Sequence, residues 1–247
     1  MISKFSENIL KWYEVHGRKD LPWKVNDPYK IWISEIMLQQ TQVSTVIPYY
    51  KKFVKKYPSL ESLSKANYDD LMLLWSGLGY YRRIKNIFLT SKIISEKFYN
   101  KFPQNYNDII ELPGIGRTTA SAISTFSGFS SKAILDGNVK RILRRFFDIS
   151  SDINAINEKK LWKKSEFVTP AKKTSEFIQG MMDIGSSICT RNNPKCGICP
   201  LRKLNCLYNP KSTNLPNTAN INKNVTMYLL IIINSENMIY LKKIISG

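Results

Sequence analysis

Residues 112–123 read LPGIGRTTASAI, and residues 134–147 read ILDGNVKRILRRFF. In the first stretch Gly114 and Gly116 bracket one apolar residue and open a helix. Glycines at such a place permit a tight turn and a close backbone approach. The free N–H groups at the helix start can then meet a phosphate. An ordinary turn between two helices has the same signature, so the pattern needs its context. In the second stretch Val139, Ile142, Leu143 and Phe146 form an apolar stripe at helical spacing. Lys140 and Arg144 share a polar face, with Arg141 and Arg145 beside them. Asp136 stands just before this helix, where an N-cap belongs.

Outward from these two stretches the periodicity stays helical. Residues 29–40 (YKIWISEIMLQQ) read as one helix. A second carries Val43, Val46, Ile47, Tyr50, Phe53, Val54 and Tyr57 on its apolar positions, with Pro48 kinking it or sitting in its first turns. Asn67 followed by Asp70 reads as an N-cap with an acidic first turn. That helix stops near Gly77, and the next begins around Gly79–Tyr80. No alternating run appears before the end of the chain, so the class is all-α. After Pro210 the composition turns polar and Asn-rich. Residues 226–247 then carry two short apolar runs split by Ser-Glu-Asn, the pattern of a β-hairpin.

The chain has 247 residues with 43% hydrophobic residues, enough for a substantial core. Its net charge is +18, which suits a polyanionic partner. Charge alone does not separate a nucleic-acid binder from a generally basic chain. The first residues alternate apolar and charged positions like an amphipathic helix, unlike a signal peptide. No apolar run is long enough to span a membrane. The expected location is cytoplasmic, where thiols stay reduced.

All four cysteines, Cys189, Cys196, Cys199 and Cys206, fall within 18 residues in the spacing C-x6-C-x2-C-x6-C. Four thiolates so placed hold a [4Fe–4S] cluster or a zinc ion. Structural zinc sites use two close Cys pairs, and only Cys196 and Cys199 are close, so the spacing favours iron–sulfur. Arg191, Lys195, Arg202 and Lys203 surround the cysteines and offset the negative charge of such a cluster. Glu35 stands out for another reason. Its helical neighbours are Ile31, Trp32, Leu38 and Gln39; a carboxylate in that setting should be partly desolvated, which raises its pKa, unless the position is an ordinary edge of an amphipathic face.

Taken together, LPWKVNDPYKIWISEIMLQQTQVSTVIPYY, LWSGLGYYRRIKN, LPGIGRTTASAI, ILDGNVKRIL and QGMMDIGSSICTRNNPKCGICPL resemble the MutY-type adenine DNA glycosylases of the helix–hairpin–helix superfamily. The resemblance runs through most of residues 5–208 in order. MLQQTQV, with the Glu before it, is its most specific part. It implies two helical lobes with DNA between them: a six-helix barrel over residues 28–132, and a cluster lobe made of 1–27 and 133–208. Residues 209–225 are then a linker, and 226–247 the start of a C-terminal 8-oxoguanine-reading domain.

By the same resemblance the catalytic Glu falls on Glu35 and the catalytic Asp on Asp136, with Asn138 supporting it. Gln40 and Tyr80 wedge into the duplex with Leu78 alongside, and Trp23 and Gln179 line the adenine pocket. Lys24, Gly114, Gly116, Thr118 and Lys140 are the remaining expected DNA contacts. The four cysteines hold a [4Fe–4S] cluster. The implied partner is double-stranded DNA containing adenine opposite 8-oxoguanine or guanine, bound by a monomer.

Three departures stand out. Lys24 replaces the Arg usual after LPW, and a point charge is not a guanidinium fork. The last cysteine spacing is one residue longer than the family's, so one residue must loop out. Only the first hairpin of the C-terminal domain is in view. Endonuclease III-type enzymes, the nearest alternative, carry a Schiff-base Lys where this chain has Thr118, and a hydroxyl cannot do that chemistry. A DNA-binding remnant that has lost catalysis is the other alternative, and both carboxylates being in place speaks against it.

Overall fold

Asp27 starts the central helix of the molecule: its side chain accepts from the backbone N–H groups of Tyr29 and Lys30, and Pro28 occupies the first helical position. A computed structural model describes residues 2–208 apart from 151 and 153. The linker 209–225 and the hairpin 226–247 lie outside the described residues, as does the reading of a truncated C-terminal domain.

Among the described residues there are eleven α-helices. They are α1 (Ile2–His16), α2 (Pro28–Leu38), α3 (Val43–Lys56), α4 (Leu60–Ser64), α5 (Tyr68–Trp75), α6 (Arg82–Phe98), α7 (Tyr106–Ile110), α8 (Arg117–Phe126), α9 (Gly137–Phe147), α10 (Ala155–Val168) and α11 (Thr174–Ser187). No strand occurs among the described residues, which agrees with the all-α reading. Asn67 caps α5 as expected, accepting from Asp69 N–H. Pro48 lies inside α3, in its second turn.

Two boundaries differ from the periodicity. The helix expected over 29–40 ends at Leu38, and Gln40 adopts a left-handed φ of 57°. The helix expected to begin around Gly79–Tyr80 begins at Arg82, because Gly77, Gly79 and Tyr80 all have positive φ. The first break does not follow from local propensity, since Gln is a good helix former, whereas Gly77 and Gly79 favour the second. The cause is tertiary: the Arg83 guanidinium takes backbone carbonyls from both turns.

The buried apolar residues separate into two cores. One gathers Trp32, Ile33, Tyr50, Phe53, Leu71 and Trp75 from α2, α3 and α5 with their neighbours. The other gathers Phe5, Ile9, Phe146, Phe177, Ile178 and Ile184 from α1, α9 and α11. Helix α8 serves both: Ala120 and Ile123 enter the first core and Ala122 the second. Trp23, on the segment joining α1 to α2, packs edge-on against Tyr50 in the first core. Where α9 meets α11 the backbones are close. A Cβ on Gly185 would lie 2.4 Å from the Cβ of Asn138.

A paired-carboxylate candidate active site

Helix α2 presents Glu35 among Ile31, Trp32, Ile36 and Leu38. Its side chain is partly buried, and the density of protein atoms around the carboxylate governs its charge. Burial pushes its pKa up to about 8, with a smaller contribution from the negative charge of Asp136. Among the described residues it makes no hydrogen bond and no ion pair. At neutral pH it therefore holds a proton and can give it away.

Asp136 caps α9. One carboxylate oxygen accepts from Val139 N–H at 2.7 Å, and the other from Asn138 Nδ2 at 3.2 Å. Burial raises its pKa. The Val139 and Asn138 hydrogen bonds and the Arg141 charge oppose that rise. The pair thus contains one carboxyl made strongly acid-retentive by its apolar site and one held nearer ionisation by its donors, the division of roles that acid-assisted bond cleavage needs.

Arg141 extends this arrangement. Its Nη2 donates to Asn138 Oδ1 at 2.8 Å and to the Gly185 carbonyl at 2.6 Å, and its Nε donates to the Cys189 carbonyl at 2.6 Å. Thr118 Oγ1 donates to the Leu135 carbonyl, one residue before Asp136, which ties α8 to the same spot.

The other expected site residues are placed as follows. Gln40 and Tyr80 are exposed, Tyr80 at 58%, and each stands at a left-handed position of a turn. Leu78 is buried in the first core, so it supports its turn from beneath instead of projecting from it. Lys24 is exposed and donates to the Tyr13 hydroxyl, lying over that ring. Lys140 is paired with Glu158 at 2.8 Å, so a phosphate would compete with that carboxylate for it. Gln179 donates to Asp183 Oδ1 at 2.8 Å. Gly114 has a φ of 79°, and a Cβ there would lie 2.4 Å from the Asn86 amide, so only glycine fits. Gly116 has open space around it, and no side chain caps α8, which leaves its first N–H groups uncovered.

The four cysteines line one small cavity with Ile142, Phe146 and Ile184. Burial pushes the Cys199 thiol up to about 11, and the thiols of Cys189, Cys206 and Cys196 raise it further against the Leu201 N–H. Arg145 Nη1 lies 3.3 Å from Cys189 Sγ. This soft donor set around an apolar cavity fits a four-thiolate metal group. Between Cys199 and Cys206 a short 3₁₀ turn, Arg202–Leu204, is followed by Asn205 with a φ of 60°, a conformation Asn tolerates.

Sequence reasoning missed three side chains around the site. Asp183 is buried and accepts from the Arg18 backbone N–H and guanidinium as well as from Gln179. Gln39 Nε2 reaches the Gly114 carbonyl and Thr119 Oγ1. Arg83 is buried without a carboxylate partner among the described residues. A buried Arg or Asp is rare, but burial is not visible in a sequence.

Residues 33–167 match the family model for the HhH-GPD superfamily base excision DNA repair protein. The chain is 47% identical to the adenine DNA glycosylase of Buchnera aphidicola subsp. Baizongia pistaciae, over 97% of this chain and 69% of that protein. It is 51% identical to the adenine DNA glycosylase of Buchnera aphidicola subsp. Schizaphis graminum, over 84% of this chain and 60% of that protein. It thus spans roughly two thirds of the length of these relatives. Among solved structures it is similar to a thermostable thymine-DNA glycosylase, with a TM-score of 0.75 and 30% identity over 82% of this chain and 94% of that one. With this fold and these relatives, the chain belongs to the HhH-GPD superfamily of base excision DNA repair proteins and, within it, to the adenine DNA glycosylase family.

Proposed function

We propose that the chain is a monofunctional DNA N-glycosylase that removes adenine mispaired with 8-oxoguanine or guanine. The observation that carries this reading is the Glu35–Asp136 pair: one carboxyl with no hydrogen bond among the described residues and a pKa raised by burial to about 8, beside a second that accepts from Val139 N–H and Asn138 Nδ2. A base inside a duplex hides its glycosidic bond, so the adenine must leave the stack. Gln40 and Tyr80, exposed at the tips of their turns, fill the space it vacates. Trp23 and Gln179 line the pocket that receives it.

Glu35 gives its proton to N7 of adenine. The C1′–N9 bond then breaks, its electron pair leaves with the base, and the base departs neutral. The sugar left behind is oxocarbenium-like, and Asp136 stabilises it from its capped position. Water adds to C1′ and gives up a proton to the Glu35 carboxylate, which restores the acid. Thr118, with its hydroxyl engaged by the Leu135 carbonyl, leaves no amine at the position from which a lyase would form a Schiff base.

Cys189, Cys196, Cys199 and Cys206 would hold a [4Fe–4S] cluster, which supplies a metal staple for residues 189–206 and no step of the hydrolysis. Cys196→Ser is expected to lose iron and to loosen that loop, since binding and local folding are linked. Protein purified anaerobically should contain about four irons per chain, as the cluster type requires, with a broad visible absorption. Stoichiometric zinc with no iron, in protein expressed with ample iron, would overturn the assignment.

The function itself is tested by single-turnover excision on duplexes carrying adenine opposite 8-oxoguanine and opposite guanine. Release of adenine with an intact backbone is the expected result. Strand cleavage at the same rate as base release would favour a lyase, and DNA binding with no release would mark a remnant.

A further inference from the structure

The two turns that carry Gln40 and Tyr80 come from different helices, yet one side chain holds both. Arg83, on the first turn of α6, is 6% exposed. Its Nη1 donates to the carbonyls of Ile36, Met37 and Gln39, at the C-terminal end of α2. Its Nη2 donates to the carbonyls of Leu78 and Gly79, at 3.2 and 3.0 Å. The guanidinium also lies 5.3 Å from the ring centres of Trp75 and Tyr80. It has no ion pair among the described residues. The negative end of the α2 dipole and the two ring faces stand in for a counter-ion.

This arrangement explains the early end of α2. Carbonyls at the helix terminus are taken by a side chain from elsewhere, so the chain can turn at once into the left-handed Gln40. The same guanidinium takes both carbonyls that precede the left-handed Tyr80. The planar fork is what lets one residue face two backbone segments. Gln39 extends the link, since its carbonyl is held by Arg83 while its amide reaches the Gly114 carbonyl of the hairpin.

We infer that Arg83 is a positioning residue that joins the Gln40 and Tyr80 turns into a single rigid wedge, so that base extrusion depends on the two tips entering the duplex together. The inference rests on the reading of Gln40 and Tyr80 as duplex-entering residues. Each left-handed non-glycine residue is strained by itself. A shared clamp keeps both in that conformation at a fixed separation, and loss of the clamp lets each tip relax independently.

The test uses the full chain with Arg83→Lys and Arg83→Met. Lysine keeps the charge but cannot face both backbone segments, and methionine keeps the bulk. Extrusion is read from the fluorescence of 2-aminopurine placed beside the target adenine, and excision from single-turnover rates. The expected result is a fall of about 10-fold or more in both extrusion and excision on a paired duplex, the scale of misplacement effects. On a duplex whose adenine lies opposite an abasic analogue, which has no pair to break, excision should fall by less than about 3-fold, since the chemical groups are untouched.

A double-mutant cycle between Gln40→Ala and Tyr80→Ala supplies the second readout. The two should be coupled in the parent chain and additive in Arg83→Lys. Equal loss on both duplexes, no loss on either, or coupling that survives in Arg83→Lys would overturn the inference. Loss of the fold in both Arg83 variants would make Arg83 a core residue only, and would overturn it too. If Gln40→Ala and Tyr80→Ala leave extrusion unchanged in the parent chain, the wedge reading itself fails. If they impair it while the Arg83 variants do not, only the coupling fails.

Discussion

Glu35→Gln should lower single-turnover excision by at least ~100-fold, the scale of a lost general acid, and should at the same time make the protein more stable. The two effects share one cause. The Glu35 pKa rises from 4.5 to about 8 on folding because its site is apolar. The folded state therefore binds the proton more tightly than the unfolded state. For a carboxyl with a raised folded pKa, stability is highest below the unfolded value and falls as pH climbs towards the folded one. At pH 7 that loss is on the order of 3 kcal/mol, at 1.36 kcal/mol per unit across the gap.

Glutamine is the same size and carries no charge, so it should recover much of this amount. Ordinary damage to the site would lower activity and stability together, whereas removal of a strained acid moves them in opposite directions. The parent enzyme should also lose rate above about pH 8, by about tenfold per unit once the acid is deprotonated, while the variant's residual rate stays flat there. Thermal melts at several pH values and single-turnover rates on adenine opposite 8-oxoguanine measure both halves. Retention of more than about a tenth of the parent rate would remove Glu35 from the acid role.

The second large effect is expected at Asp136, where substitution can separate two jobs that share one side chain. As an N-cap, aspartate is matched by asparagine, so Asp136→Asn should leave α9 and the melting temperature nearly unchanged. As the anion beside a developing sugar cation it has no such substitute. The rate of excision should fall on the order of 100-fold or more, the usual scale for removing one electrostatic partner of a transition state. Asp136→Ala should lose the rate and also about 1 kcal/mol of stability with the cap.

Because burial raises the Asp136 pKa, the parent rate should decline on the acid side as that carboxylate is protonated, and this acid limb should vanish in Asp136→Asn. Duplex binding, measured alongside, should change little. An asparagine variant within about threefold of the parent rate would make Asp136 a cap and nothing more, since a lost electrostatic partner costs far more than that.

Much of the candidate site is legible in the sequence. The Glu35 environment can be read because α2 is a helix, and residues spaced by three or four on a helix share a face; Ile31, Trp32, Leu38 and Gln39 have to crowd it. Asp136 is legible as a cap for the same local reason. The four cysteines, close in sequence, line one cavity, although among the described residues no three such side chains are gathered as a metal ion would need. Leu78 goes the other way. The resemblance puts it alongside Tyr80 at the duplex, but in a turn with three positive φ values neighbouring side chains point in unrelated directions, and Leu78 turns into the core.

The sequence by itself determined the all-α class, the caps of α5 and α9, apolar stripes that enter the two cores, and which two carboxyls are candidates for the acid and its partner. These follow from interactions between residues a few positions apart, and the periodicity of a helix makes such interactions visible. The end of α2 and the start of α6 were decided only in three dimensions. There one guanidinium takes the carbonyls of Gln39 and Gly79, which are far apart along the chain but adjacent in space. So was the support of Asp136 through Asn138 to Arg141 and on to Gly185 and Cys189. A buried donor must find acceptors wherever packing brings them, and packing depends on the whole chain. That is why the candidate reacting groups can be named from the sequence, while the side chains that hold them in place cannot.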